Sequence, residues 1–209
     1  MLNFEFHNPT RIVFGQGKVA DLARLVPAQA RVLVLYGGES ARRTGTLDEV
    51  RAALGERSVS EFGGIEPNPS YETLMRAVDL VRAEGIDFLL AVGGGSVIDT
   101  TKGAAASLAC EGVDFATLQG SEILKADLPP FIAVPTTAGT GSETTIAAVV
   151  TGSDHHKYAI SDLCLIPRYA ILDPALTVGL PPHITAETGM DALTHAIEGY
   201  ITKGAWELS

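Results

Sequence analysis

The sequence predicts an α/β protein built on a mostly parallel sheet. Short runs rich in Val, Ile, Leu and Phe alternate with stretches in which apolar residues recur at helical spacing. Several apolar runs end in glycine-rich segments, as strands do where they turn into helices. The composition, 46% hydrophobic and 19% charged over 209 residues, suits a packed globular core. Strands alternating with helices of this length imply βαβ units, and such units make parallel sheets.

In order, residues 4–6 and 11–14 read as short strands separated by the turn Asn8-Pro9-Thr10. Gly15-Gln16-Gly17 opens a helix over 19–25. Residues 31–36 form a buried strand that ends at Gly37-Gly38. Ser40 is the expected cap of a helix over 47–54, which stops at Gly55. A third strand covers 58–62, and Glu66-Pro67-Asn68-Pro69-Ser70 is a rigid loop. Ser70 starts an amphipathic helix carrying Leu74, Val78 and Val81, closed by Gly85. Residues 86–92 are the strongest strand, followed by Gly93-Gly94-Gly95-Ser96 and a helix over 97–108. Further strands are expected at 131–134, 146–150, 157–160 and 169–172. Pro181-Pro182 marks a boundary, after which 184–202 is one helical stretch. The expected domains are therefore a nucleotide-binding unit over 1–182 and the start of a helical unit over 183–209.

A net charge of −10 argues against non-specific nucleic-acid binding. An anionic ligand would need local help from backbone amides or single basic residues. No stretch approaches the roughly 20 apolar residues of a membrane span, and the first residues carry no basic, apolar leader. Cys110 and Cys164 lack the spacing of a zinc or redox pair, which suits reduced thiols and a cytoplasmic setting.

In open α/β sheets, ligands bind beyond the carboxyl ends of strands. Three loops occupy that position: Gly37 to Ser40, Gly93 to Ser96 with Asp99 behind it, and Pro135 to Glu143. The second is the sharpest. Three glycines let the backbone approach a bulky anion, and the following helix offers free amides and a positive dipole end. A tight strand-to-helix turn is the alternative. The motif is neither a phosphate-binding P-loop nor G-x-G-x-x-G at a first strand. The third loop presents the hydroxyls of Thr136, Thr137, Thr140 and Ser142, which suit phosphate, ribose or a carboxamide, or equally a plain polar loop. In the last helix, Asp191 and His195 stand four apart and share a face, as two metal ligands would. Such a pair also arises by chance on a solvent-facing surface, and two ligands are short of a site.

Taken together, these words change the reading. Phe14-Gly15-Gln16-Gly17, Pro67-Asn68-Pro69, Gly93 to Asp99, Pro135 to Glu143, Asp173-Pro174 and Gly189 to Glu198 occur in one order across nearly the whole chain. In that order the chain resembles the iron-containing (group III) alcohol dehydrogenases. Its first part, through about Gly95, is similar to NADPH-dependent aldehyde reductases of that family; its later part looks more like lactaldehyde reductase.

The resemblance implies a Rossmann-like dinucleotide-binding domain of the dehydroquinate synthase-like fold, followed by an all-helical domain with the active site between them. It implies that Gly94, Gly95 and Ser96 hold the pyrophosphate, with Asn68, Thr136, Thr137, Thr140 and Lys157 lining the rest of the cofactor site. Asp99 joins this group from the glycine-loop motif. Asp191 and His195 would be the first two of four ligands to Fe2+ or Zn2+. The family's other two are later histidines, and His7, His155, His156 and His183 do not match them; His155-His156 reads as an exposed loop pair. The helical domain is thus expected as its first helix alone, and the isolated chain is expected to hold metal weakly and turn over little.

The cofactor reading favours NADP(H) over NAD(H). NAD-preferring relatives tend to carry an acid after the second strand, where this chain has Gly38, followed by Ser40, Arg42 and Arg43. A hydroxyl and two guanidiniums suit a 2′-phosphate, although Glu39 opposes it. The expected partners are a nicotinamide dinucleotide, small alcohols, diols or aldehydes, and further copies of the chain. A non-catalytic, isolated or engineered nucleotide-binding domain is the competing reading. A relative of glycerol dehydrogenase or dehydroquinate synthase, which share the fold, is a third.

Overall fold

The computed structural model describes residues 5–109, 128–203 and 205. Six parallel strands form the central sheet, in the order β1 (Arg11–Phe14), β8 (Tyr169–Leu172), β5 (Phe131–Pro135), β4 (Phe88–Gly93), β2 (Arg31–Tyr36), β3 (Ser58–Phe62). Side chains alternate between faces along each strand. Leu33 and Leu35 of β2, with Leu89 and Ala91 of β4, face α4 (Tyr71–Glu84) and α5 (Gly95–Ala109). Val32 and Val34, with Leu90 and Val92, face α1 (Leu22–Leu25) and α3 (Thr46–Leu54). Both faces are covered, so β4 is buried along its whole length.

After β2 the chain steps outward to β3, then returns past β2 to β4. The carboxyl ends of β2 and β4 therefore flank the point where the strand order reverses, and connections leaving in opposite directions open a crevice there. The loops after β2, β4 and β5 converge on this edge.

Most expected elements form, with instructive differences. Glu5 and Phe6 are not in a strand, and Phe4 lies outside the described residues. The helix expected over 19–25 is a 3-10 turn, Lys18–Asp21, followed by the single turn of α1. Ser40 does not cap α3: it opens the separate short helix α2 (Ser40–Arg43), and α3 restarts after Gly45. Ser70 does cap α4, its hydroxyl accepting the Thr73 amide at 3.2 Å. The pieces expected at 146–150 and 157–160 leave the parallel sheet. They form an antiparallel hairpin, β6 (Ala147–Thr151) with β7 (Lys157–Ser161), packed against α5. His155 and His156 sit exposed at its turn, as expected. Cys110 lies outside the described residues.

The last helix, α6 (Pro182–Ile201), begins with proline in its first turn, where no amide is needed. None of its residues is buried. Its half-buried positions are Ile184, Thr188, Asp191 and Gly199, while Met190, Leu193, Ile197, Tyr200 and Ile201 are exposed. The seam that faces the body is mixed, with Ile184 beside Thr188 and Asp191, and the main apolar stripe is exposed. Among the described residues no helix is long and apolar enough to cross a membrane.

Candidate active site

The glycine and threonine loops are in contact. A Cβ on Gly94 would lie 2.9 Å from Thr137 Oγ1, and one on Gly95 would lie 3.1 Å from Thr140 Cγ2. A side chain at either position would crowd the threonine loop, and glycine lets the two loops meet this closely. The Thr136 amide also donates to the Gly93 carbonyl at 3.1 Å. The first internal bonds of α5 come from the amides of Val97 and Ile98, both to the Gly94 carbonyl. The amides of Gly95 and Ser96 thus stand ahead of the helical ladder, at the positive end of a 15-residue helix. That is an anion site in the making.

The other expected cofactor residues gather around this contact. Asn68 donates its backbone amide to Ser96 Oγ at 3.3 Å. It adopts φ +54, a left-handed conformation that non-glycine residues seldom take. Glu66 fixes this loop by accepting the Ser70 amide at 2.8 Å and the Thr73 hydroxyl at 2.9 Å. Burial raises the Glu66 carboxyl, but the amides of Ser70 and Glu66 and the hydroxyls of Ser70 and Thr73 outweigh it and hold the pKa at about 2. Lys157 is exposed on β7, directly across from Thr151, whose hydroxyl donates to the Asn68 carbonyl at 3.3 Å. Ser40 and Thr136 line one cavity of about 330 Å³ with Arg43, Thr44 and Leu176. Thr137, Ala138, Gly139 and Glu143 line a second of about 270 Å³, against Phe14 and Asp173. The threonine loop is the wall between the two. Gly38 is exposed at the mouth of the β2 loop.

Two arginines expected together at the β2 loop are separated. Arg42 lies over the Tyr36 ring, 5.2 Å from its centroid, bonds the Tyr36 hydroxyl, and pairs with Glu61 at 3.5 Å. Arg43 lines the larger cavity. Glu39 is solvent-exposed.

Asp99 is turned inward. Its Oδ2 accepts the Val149 amide at 3.2 Å, and its Oδ1 is enclosed with no hydrogen-bond partner. Burial raises its carboxyl above the usual range, against the opposing pull of Lys102, the Val149 amide and the Ser142 hydroxyl.

Lys102, one turn further on, is fully buried. Its ammonium donates to Thr145 O at 2.7 Å, Thr145 Oγ1 at 3.2 Å and Ala147 O at 2.9 Å. Burial lowers its pKa to about 8, while Asp99 and Glu143 oppose the shift. Sequence reasoning passed over this residue. The available signal was a lone lysine ahead of Gly103-Ala104-Ala105-Ala106, three residues after Asp99.

Asp191 and His195 are brought together on α6, Asp191 Oδ1 lying 3.9 Å from His195 Nδ1. His195 Nδ1 also lies 2.9 Å from the Gly139 carbonyl. A carbonyl can only accept, so Nδ1 carries the proton and donates; in the neutral ring Nε2 is then the free donor atom for a metal. Metal-ligating histidines are commonly oriented in this way. Carboxylate and imidazole suit iron or zinc. Among the described residues no third His, Cys, Asp or Glu joins them.

The sequence and the fold have known counterparts. The iron-containing alcohol dehydrogenase family matches residues 9–174. The chain belongs to that family. It is 48% identical over 207 residues to the NADPH-dependent aldehyde reductase YqhD of Escherichia coli, covering 97% of this chain and 53% of the reductase. It is 38% identical to a probable NADH-dependent butanol dehydrogenase of Bacillus subtilis, covering 96% of this chain and 52% of that protein. The crystal structure of E. coli YqhD superposes with a TM-score of 0.91 at 45% identity, over 99% of this chain and 54% of that one. A Thermotoga maritima protein described as an NADH-dependent butanol dehydrogenase superposes at 0.90 and 34% identity, over 99% of this chain and 53% of that one. The likeness to the reductase thus runs through both parts of the sequence. The chain spans about half the length of these relatives.

Proposed function

We propose that this chain forms the cofactor-binding part of a metal-dependent, NAD(P)-linked alcohol dehydrogenase or aldehyde reductase acting on small alcohols, diols and aldehydes. The observation that carries the proposal is the contact of Gly94 and Gly95 with Thr137 and Thr140 at the start of α5. It puts free amides, a helix dipole and hydroxyls at one point, beside a cavity that leads to Ser40 and Arg43. Gly94, Gly95 and Ser96 hold the pyrophosphate. Gly38 and Ser40 face the adenosine end. Asn68, Thr136, Thr137, Thr140 and Lys157 line the remainder, with Asp99 supporting them from inside.

Asp191 and His195 supply two of the donors for Fe2+ or Zn2+. When bound, such a metal polarises a substrate oxygen, and the nicotinamide gives or takes the hydride. What the chain's own residues contribute is placement. Gly139 O orients the His195 ring, and the threonine loop separates the metal side from the nucleotide side. Residues 1–182 form the nucleotide domain and 183–209 belong to a helical, metal-binding one. NADP(H) is favoured over NAD(H) through Gly38, Ser40 and Arg43; relatives of both preferences occur. The exposed stripe of α6 supports a homo-oligomer or other association.

Direct fluorescence titration with NADPH and NADH tests the cofactor reading: NADPH should bind more tightly, and equal or tighter NADH binding refutes that preference. Titration with ferrous iron or zinc, followed by an aldehyde-reduction assay, tests the rest. Weak metal binding with little turnover is the expected result for the 209-residue chain. A non-catalytic nucleotide-binding domain is the second reading, supported by a metal face with two donors among the described residues. Metal-dependent turnover by this chain would exclude it.

A further inference from the structure

Among the described residues the outer edge of β6 meets no second strand beyond a single bridge from Ser70 to Thr151, yet four backbone groups along it are taken. Ile146 O faces β7 and accepts the Asp162 amide at 3.1 Å. The alternate residues therefore turn their backbone groups the other way. Thr145 O and Ala147 O receive Lys102 Nζ, the Val149 amide goes to Asp99 Oδ2, and the Thr151 amide goes to Pro69 O at 2.8 Å. Two side chains of α5 and one loop carbonyl thus stand in for a missing strand.

The edge and its partners connect to three different loops of the cofactor site. α5 begins at the glycine loop, Thr145 follows the threonine loop directly, and Pro69 adjoins Asn68. One strand edge therefore fixes all three relative to each other. A buried ammonium is a costly way to hold a fold together, since an apolar side chain of similar size packs at lower cost. Its three donors, each matched to an acceptor, specify distance and direction, which an apolar contact would not.

We propose that Lys102 is a positioning residue for the dinucleotide site, setting the gap between the glycine loop and the threonine loop by binding the edge of β6. It touches no ligand and acts through Thr145 and Ala147. This rests on the dinucleotide-binding reading above.

The test uses the full chain. Lys102→Met removes the three donors at similar volume. NADPH and adenosine 2′-monophosphate are titrated into wild type and variant, at a temperature where circular dichroism shows both folded. Adenosine 2′-monophosphate has no 5′-phosphate, so it carries no part of the pyrophosphate assigned to the glycine loop. The expected result is NADPH affinity lowered by about tenfold or more with adenosine 2′-monophosphate affinity nearly unchanged. Unchanged NADPH affinity overturns the proposal, and so does an equal loss for both ligands, the mark of general damage. If the variant does not fold, wild-type amide exchange decides. Coupling is reciprocal, so saturating NADPH must slow exchange at the Val149 and Thr151 amides; unchanged exchange there overturns the proposal. A wild-type chain that binds neither NADPH nor NADH defeats the cofactor reading itself.

Discussion

The carbonyl of Gly139 lies 2.9 Å from Nδ1 of His195, so a residue of the threonine loop sets the ring proposed as a metal donor. Gly139 has φ +100, and a Cβ there would stand 2.6 Å from Thr188 O and 2.8 Å from Asp191 Oδ2. Both the bend and the close approach require glycine. Gly139→Ala should therefore displace α6 and cost roughly 1–3 kcal/mol of strain where the helix stays docked. In wild type, nitrogen NMR of the neutral His195 ring should show the Nδ1–H tautomer; in the variant that bias should disappear.

Lys102 should give stability an alkaline signature. Its folded pKa, about 8, is below the 10.5 of an unperturbed lysine. Between those values the unfolded chain holds a proton that the folded chain has released, so this group's contribution rises with pH across that window. The stability of wild type minus that of Lys102→Met should increase from pH 8 to 10.5, by at most about 3 kcal/mol. Urea unfolding at several pH values measures it; a flat difference would refute the assignment.

Glu66 has the opposite signature. Its folded pKa of about 2 is below the ordinary 4.5, so its contribution is present above 4.5 and is lost as pH falls toward 2. Glu66→Gln should flatten the acid limb of the unfolding profile. It should also loosen Asn68, read as faster amide exchange at Ser70.

Arg57 ties helix ends together. Its guanidinium donates to the carbonyls of Pro27, Leu54, Ala23 and Val26, gathering the last turns of α1 and α3. Arg57→Ala should cost about 2 kcal/mol in thermal or urea unfolding. Arg57→Lys should recover little, because an ammonium lacks the planar fork.

The two arginines after β2 should behave differently. Arg43→Ala should weaken NADPH about tenfold while sparing NADH, since it lines the cavity beside Ser40. Arg42→Ala should change either affinity little, its guanidinium being held by Tyr36 and Glu61. Equal losses from both variants would contradict this division.

The sequence alone determined the parallel α/β plan, because strand runs, glycine stops and helical periods are local signals carried by neighbouring residues. Ser70 and Gly85 bracket α4 as their capping chemistry requires. The glycine and threonine loops were legible too, since glycine at a strand end has few other uses. Ser40 was misread because the chain breaks again at Gly45, whose φ of +78 starts α3 with no side-chain cap.

Only the tertiary structure decided the rest. It placed β6 and β7 outside the main sheet, turned Asp99 inward, engaged Arg42 with Glu61, and gave Lys102 its three acceptors. It also decided which seam of α6 meets the body: Ile184, Thr188 and Asp191 are half-buried, while Leu193, Ile197 and Ile201 are exposed. The physical reason is the same throughout. Spacing along the chain fixes which residues share a face, but the direction of a buried charge depends on partners about 45 residues away, and no local pattern records them.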